Sequence, residues 1–407
     1  MSTLHARRIV VVGGSLGGLR AAEALLAGGW DGEVTVLSDE LHVPYTRPPL
    51  SKAALAGGPD LATLAVKQRP EAARAEWRFG ATAVAADLAA HTVTLADGET
   101  VAYDGLVAAT GVRPRRLPSR IDHTGGAAHV VRTIEDCRAL HSALRPGSRV
   151  VVIGAGFIGC EVAATAACLG CEVTVVAADE SPMLAPLGRT VGDAVRRRHE
   201  RAGVKFRLGV SVSLMSSADH GHSVTLSDGS RIDGDVVVQS IGSAPCVDWL
   251  SGNGLDLADG VVTDNGMRAG GIPGVVAVGD VARFPNPLFD DMPRRVEHWQ
   301  TPMETARRAA ATLLADLAGH DADPAPFTPL PSFWSDQFDL RLQSFGALGI
   351  ADRTEVLEGD LGGQAVVGYF RGTLLVGALL LGMPKRAVAV RKRLLAGLTD
   401  PHPTYAA

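Results

Sequence analysis

Cysteine is scarce in this sequence and long apolar runs are missing. Its 407 residues hold five cysteines, an odd number set in element-like stretches, which argues against a disulfide framework and suits the reduced thiols of a cytoplasm. The first apolar run, Ile9–Val12, stops at a glycine well short of a secretory hydrophobic region. The longest, from Thr373 to Met383, is too short to cross a bilayer and follows an Arg371-Gly372 turn, so it reads as part of a buried hairpin. These runs predict neither export nor a membrane partner, and the expected location is cytoplasmic. Neither sign of charge dominates: a net charge of -5 and a pI near 6.2 give no global attraction for nucleic acid. Histidine offers no ligand set, since His220-Gly221-His222 stands alone between strand-like runs and reads as a solvated loop; no metal site is expected. What remains is a chain with 46% hydrophobic and 20% charged residues, long enough for about two or three domains with their own cores.

Glycine is plentiful, and two clusters of it are chemically legible. The stretch IVVVGGSLGGLR, residues 9–20, is an apolar strand entering a turn that nearly matches GxGxxG. In that fingerprint the first glycine makes the turn, the second lets backbone approach a pyrophosphate and the third packs helix on strand. Gly13 and Gly18 fill the outer places, and Ser15 stands in the middle one. The pattern returns in full in RVVVIGAGFIGCEVAATAA, where Gly154, Gly156 and Gly159 follow the strand Val150–Ile153. Downstream, TVTLADGETVAYDGLVAATG (92–111) and SVTLSDGSRIDGDVVVQSIG (223–242) align almost residue for residue. In each, an Asp-Gly pair (Asp97-Gly98, Asp228-Gly229) separates two alternating runs, the mark of a tight hairpin, and an apolar strand then ends in a small-residue turn. Each half is therefore predicted to carry a βαβ unit, a hairpin and a closing strand. The result is an α/β chain with two Rossmann-like dinucleotide-binding domains. Two dinucleotides in one chain point to hydride transfer between a nicotinamide and a flavin. Ser15 is tolerable on this reading, because a helix N-terminus still stands behind it to hold phosphate.

The stretch SDELHVPYTRPPLSK, residues 38–52, resembles the oxygenase-coupled NAD(P)H-dependent ferredoxin reductases. The likeness continues in order through AATGVRPR (108–115), VRTIEDC (131–137), AVGDVARF (277–284), RVEHW (295–299) and FWSDQF (333–338), and is weakest beyond that. GxSxxG occurs in first fingerprints of this family, which makes Ser15 a variant rather than a loss. The resemblance implies a FAD-dependent enzyme that passes electrons from NADH, with NADPH as a second candidate donor, to an iron-sulfur ferredoxin serving a haem-thiolate monooxygenase or a Rieske dioxygenase. For FAD it implies Gly13, Ser15, Leu16, Gly17, Gly18, Asp39, Arg47, Pro48, Lys52, Val84, Thr110, Gly111, Arg132, Gly279, Asp280, Trp299 and Trp334. For the nicotinamide dinucleotide it implies Gly154, Gly156, Phe157, Ile158, Gly159, Glu161, Ala177 and Gly242.

Elementary chemistry stands beside several of these residues. Asp39, just past the strand Val34–Leu37, can accept hydrogen bonds from the adenosine ribose. In RPPLSK two prolines fix the backbone, so Lys52 is presented from a rigid segment, and a cation favours a ring that becomes anionic on reduction. Glu161 follows the second fingerprint on the first turn of its helix, where the dipole favours a carboxylate; the resemblance pairs it with Lys52. Asp280 ends the strand Val275–Val278 and is expected to start a helix whose amides face the flavin pyrophosphate.

The motifs predict a FAD-binding domain at 1–112 and 245–325, interrupted by a NAD-binding domain at 113–244. The proline-rich DADPAPFTPLPS marks the start of a small α+β C-terminal domain, 326–407, with strand-like runs at 341–348 and 364–381 and a helix near 385–398. Cys168 and Cys171 have the spacing of a redox disulfide and raise a disulfide reductase as a rival, but they sit at the far end of the fingerprint helix from the phosphate turn. An NADH oxidase and an apoptosis-inducing-factor-like NADH-sensing flavoprotein are also compatible with two dinucleotide folds. The strand EVTVV ends at Ala177, where an acidic residue would repel a 2′-phosphate; Asp179 and Glu180 follow late, and Arg189 is the nearest cation. NADH is expected to be preferred, by a reduced margin. PKRAVAVRKR, 384–393, gathers cations on a short helix suited to an acidic ferredoxin. The sequence leaves oligomeric state open, a homodimer included.

Overall fold

The computed structural model describes residues 7–218 and 221–399; His220 of the histidine pair lies outside them. The chain packs as two compact units. The first comprises the residues up to Thr46, Ala65–Arg113 and Ala244–Pro331; the second comprises Arg47–Leu64, Pro114–Ser243 and the residues from Ser332 on.

The first unit is built on a five-stranded parallel sheet in the order Val275–Ala277, Gly105–Ala108, Arg8–Val12, Glu33–Ser38, Glu76–Phe79. Parallel strands covered on both faces read as apolar runs, as Ile9–Val12, Gly105–Ala108 and Val275–Ala277 do, whereas the outer Glu76–Phe79 is partly exposed and carries charge. The helices Leu16–Ala27 and Thr301–Ala318 pack against each other beside it. An antiparallel meander, Ala83–Asp87, Thr92–Leu95 and Thr100–Ala102, follows. The second unit repeats the plan with a four-stranded parallel sheet, Lys205–Leu208, Glu172–Ala177, Arg149–Ile153, Val236–Gln239, and a hairpin, Val212–Ala218 with Gly221–Leu226, extended by Arg231–Gly234.

The repeat read from the sequence holds bond by bond. At the two Asp-Gly turns the Leu95 amide donates to Glu99 and the Leu226 amide to Ser230, both at 2.8 Å, with Gly98 and Gly229 at φ of 91° and 80°. At the fingerprints the Gly13 amide donates to Leu37 and the Gly154 amide to Val176. A β-carbon at Gly13 or Gly154 would lie 2.3 and 2.1 Å from a carbonyl oxygen, and one at Gly18 or Gly159 would lie 1.9 and 2.1 Å from the oxygen of the first glycine. Only glycine fits at these four places.

Two features depart from the expectation, and the C-terminal segment adds to it. Arg47–Leu64 packs in the second unit, although it lies inside the first 112 residues: the Ser51 carbonyl accepts from Thr165 at 2.8 Å and the Leu55 carbonyl contacts His141 Nδ1 at 2.8 Å. The C-terminal segment is a five-stranded antiparallel sheet, Ser332–Gln337, Leu340–Gly346, Leu374–Leu381, Ala365–Arg371, Arg353–Gly359, capped by the helix Ala387–Thr399. It shares one core with the preceding helices, since Leu342, Val367, Tyr369 and Leu379 pack with Cys160, Leu187, Val191 and Val195, and the Tyr369 hydroxyl donates to the Leu187 carbonyl at 2.9 Å. Its strand Arg353–Gly359 left no trace in the sequence because it is a largely exposed edge. Finally, Asp280 does not start a helix. Gly279–Val281 is one 3-10 turn, and Ala282–Asn286 then pairs with Val261–Val262 and Asp290–Arg295. The Gly279 amide is taken by the Thr305 hydroxyl at 3.0 Å.

Candidate active site

The RPPLSK segment follows from its prolines. Pro48 and Pro49 open the single 3-10 turn Pro48–Ser51, and Lys52 closes it. The Lys52 ammonium donates to the Pro48 carbonyl at 3.0 Å and to Glu161 Oε2 at 2.6 Å. Ser51 donates its hydroxyl to the same oxygen at 2.5 Å. Glu161 Oε1 accepts from the Ser335 hydroxyl at 2.6 Å. The Glu161 side chain is 5% exposed and that of Lys52 18%. Three segments far apart in sequence thus hold one buried ion pair. Glu161 lies one turn further into the helix Phe157–Cys168 than expected, its first turn carrying no acid. The dipole fades within the first turn, so Lys52 and the two hydroxyls, rather than the helix end, hold this charge.

The two glycine turns fit dinucleotides. The helices Leu16–Ala27 and Phe157–Cys168 begin without a side-chain cap, leaving amides directed at the turn for an anion. Nothing lies within 4 Å of where a β-carbon would stand on Gly156, so backbone is open there to a ligand. Among the described residues no group of histidine, cysteine, aspartate and glutamate side chains could hold a metal ion, and no helix is long and apolar enough to cross a membrane.

Comparison with known proteins gives this geometry a family. Residues 7–306 match the family described as pyridine nucleotide-disulphide oxidoreductase, and residues 332–407 match the reductase C-terminal family. The ferredoxin–NAD(+) reductase component of the anthranilate 1,2-dioxygenase system of Burkholderia cepacia is 36% identical over 98% of this chain and 97% of that protein. The chain is a member of the pyridine nucleotide-disulphide oxidoreductase family, in its branch of ferredoxin–NAD(+) reductases. Rhodocoxin reductase of Rhodococcus erythropolis is 36% identical over 94% of this chain and 88% of its own. Among solved structures, putidaredoxin reductase in its covalent complex with putidaredoxin superposes with a TM-score of 0.87 at 31% identity, covering 97% of this chain and 96% of that one. Proteins of this family use FAD and NAD(H).

In this reductase the sequence candidates fall in both units. Gly13, Ser15, Leu16, Gly17 and Gly18 form the first turn, with Asp39 exposed beyond the strand Glu33–Ser38. Thr110 gives its hydroxyl to the Cys246 carbonyl at 2.6 Å, next to Gly111 at φ 64°. Val84 is 49% exposed on the meander, Gly279 is buried, and Asp280 and Trp299 are half-buried. The second unit holds Arg47, Pro48, Lys52, Arg132 and Trp334; Arg47 donates to the Arg132 carbonyl at 2.7 Å. It also holds the second turn, with Gly156, Ile158 and Gly242 exposed, Phe157 half-buried, and Gly154 and Gly159 at its ends. Ala177 is buried at the end of its strand, and Arg189 is engaged by Glu180. Cys168 is exposed and Cys171 buried; both are free thiols, and Cys171 donates to the Arg145 carbonyl. Burial pushes the Cys171 thiol pKa up, which disfavours the thiolate that redox exchange needs. Sequence reasoning missed Ser51 and Ser335. Both serines lie inside recognised motifs, RPPLSK and FWSDQF, but no pattern announces that two hydroxyls converge on one carboxylate.

Proposed function

We propose that this chain is the reductase component of an oxygenase system, a cytoplasmic flavoprotein that takes electrons from NADH and delivers them to an iron-sulfur ferredoxin. The observation that carries this reading is the buried Lys52–Glu161 pair, held within the family's RPPLSK, fingerprint and FWSDQF segments. Bound FAD supplies the conversion of a hydride pair into electrons released singly. The chain's residues bind and orient. The turn Gly13–Gly18 and the helix behind it hold the FAD pyrophosphate, Asp39 accepts from its ribose, and Asp280 accepts from the ribityl hydroxyls. Arg47, Pro48, Val84, Thr110, Gly111, Arg132, Gly279, Trp299 and Trp334 complete the FAD contacts. Gly154, Gly156, Phe157, Ile158, Gly159, Ala177 and Gly242 receive NADH. Lys52 contributes a fixed positive charge that favours a ring gaining electrons, and Glu161 fixes Lys52. No side chain is needed as acid or base.

The test is anaerobic stopped-flow mixing of the FAD-loaded protein with NADH, then with an acidic iron-sulfur ferredoxin and cytochrome c. Ferredoxin-dependent cytochrome reduction is expected. Stoichiometric hydrogen peroxide when the FAD-loaded protein and NADH are mixed in air, without ferredoxin dependence, would replace this reading with an NADH oxidase. Slow reoxidation by every ferredoxin tried would favour an NADH-sensing flavoprotein. In the same assay Lys52→Met should retain FAD, lower its reduction potential and slow its reduction; rates equal to the parent's remove Lys52 from the reaction.

A further inference from the structure

Behind Glu161 a line of buried polar groups leads away from Lys52. The strand Ser332–Gln337 alternates, so Phe333, Ser335 and Gln337 share one face, and Trp334 and Asp336 the other. Phe333 packs on Phe157 with ring centroids 4.7 Å apart, which seats that face on the fingerprint helix. Ser335 is wholly buried and gives its proton to Glu161 Oε1. Gln337, 1% exposed, donates from Nε2 to Ser335 Oγ at 3.0 Å, and its Oε1 meets His199 Nε2 at 2.8 Å. His199 is 1% exposed on the helix Leu184–Arg201, with Phe206 and Phe338 edge-on at 5.9 and 5.0 Å.

The chemistry of the groups orders the protons. A serine hydroxyl has one proton, and here the carboxylate takes it, so Ser335 must accept from Gln337. The amide nitrogen of Gln337 therefore faces Ser335, its oxygen faces His199, and the imidazole carries its proton on Nε2. Burial lowers the His199 pKa and keeps the ring neutral, consistent with this single tautomer. Every donor in the line points toward Glu161, and such chains polarise one another in a poorly solvated interior.

We propose that Ser335, braced by Gln337 and His199, is a positioning residue through which the C-terminal sheet fixes Glu161 and so Lys52. This rests on the reading of Lys52 as the charge that assists flavin reduction, and the experiment separates the two. The readouts, on FAD-loaded protein, are the midpoint potential of bound FAD and the rate of anaerobic reduction by NADH, for Lys52→Met, Ser335→Ala, Ser335→Thr, Gln337→Met and the Lys52→Met/Ser335→Ala pair. Ser335→Ala should slow reduction about tenfold, the size of one hydrogen bond to a charged group, with KM for NADH unchanged and the potential lowered. Gln337→Met should do the same more weakly, and Ser335→Thr should return the rate to within about twofold of the parent. Added to Lys52→Met, Ser335→Ala should change nothing further. An effect of Lys52→Met with none of Ser335→Ala overturns the proposal and leaves the Lys52 reading standing; no effect of either overturns both. Additive losses overturn it as well, since Ser335 would then act elsewhere. A histidine nitrogen NMR spectrum showing His199 protonated on Nδ1 alone overturns the ordering of the line.

Discussion

Replacing Lys52 with methionine and Glu161 with glutamine, singly and together, measures what the buried pair contributes to stability. The ammonium nitrogen and the carboxylate oxygen are 2.6 Å apart, with 18% and 5% of the two side chains exposed. Taking the charge centres as about 4 Å apart in an effective dielectric of about 20, the attraction is about 4 kcal/mol. Desolvation of the carboxylate takes back a large part of it. Ser51 and Ser335 go on donating to Glu161 when the ammonium is gone, so the stranded charge is less costly than a bare one. Lys52→Met is therefore expected to cost about 2–3 kcal/mol and the double-mutant cycle to return a coupling of about 2 kcal/mol. The assay is urea unfolding by tryptophan fluorescence at fixed protein and FAD concentrations, because a ligand that binds the folded state shifts the apparent stability. A coupling below about 0.5 kcal/mol, the level at which independent sites add, would refute the claim that the two groups form one buried unit.

Three other outcomes are expected. Burial holds the imidazoles of His199 and His298 below their ordinary pKa, His298 at about 4. Below pH about 6.5 the unfolded chain then binds protons that the folded chain refuses, so stability falls with decreasing pH by up to about 1.4 kcal/mol per unit for each group; urea midpoints at pH 7.5 and 5.5 check this, and His298→Gln should remove about one proton from the slope. Arg391, Lys392 and Arg393 are exposed on the helix Ala387–Thr399, while Arg386 is engaged by Glu358. Reversing Arg391 and Lys392 to glutamate should raise KM for ferredoxin in a salt-dependent way and leave ferricyanide reduction alone; an unchanged KM sinks that docking face. Ala177→Glu should raise the NADH-over-NADPH ratio of specificity constants about tenfold, since Glu180 already engages Arg189; a parent enzyme that favours NADPH would point instead to Arg189 as a phosphate ligand.

What the sequence determined by itself is local. The two fingerprints were legible because a β-carbon at Gly13, Gly18, Gly154 or Gly159 would lie about 2 Å from a carbonyl oxygen, which permits no other residue, and the two Asp-Gly turns because Gly98 and Gly229 take a positive φ that favours glycine. Buried parallel strands such as Ile9–Val12 and Val150–Ile153 were legible because burial on both faces writes itself as an apolar run, and the partly exposed outer strands Glu76–Phe79 and Lys205–Leu208 were not. Lys52 and Glu161 were visible through motifs on either side of a gap of 109 residues. The tertiary structure decided the rest. It placed Arg47–Leu64 with the second unit, folded the C-terminal sheet onto the core of Leu187 and Val191, and turned the segment after Asp280 into a strand by giving it partners to pair with. It also chose the donors of Glu161. Ser335 lies 174 residues away, and a buried serine on an alternating strand looks like any other small residue until the fold sets a carboxylate against it, because hydrogen-bond pairing depends on proximity in space and leaves no period in the chain.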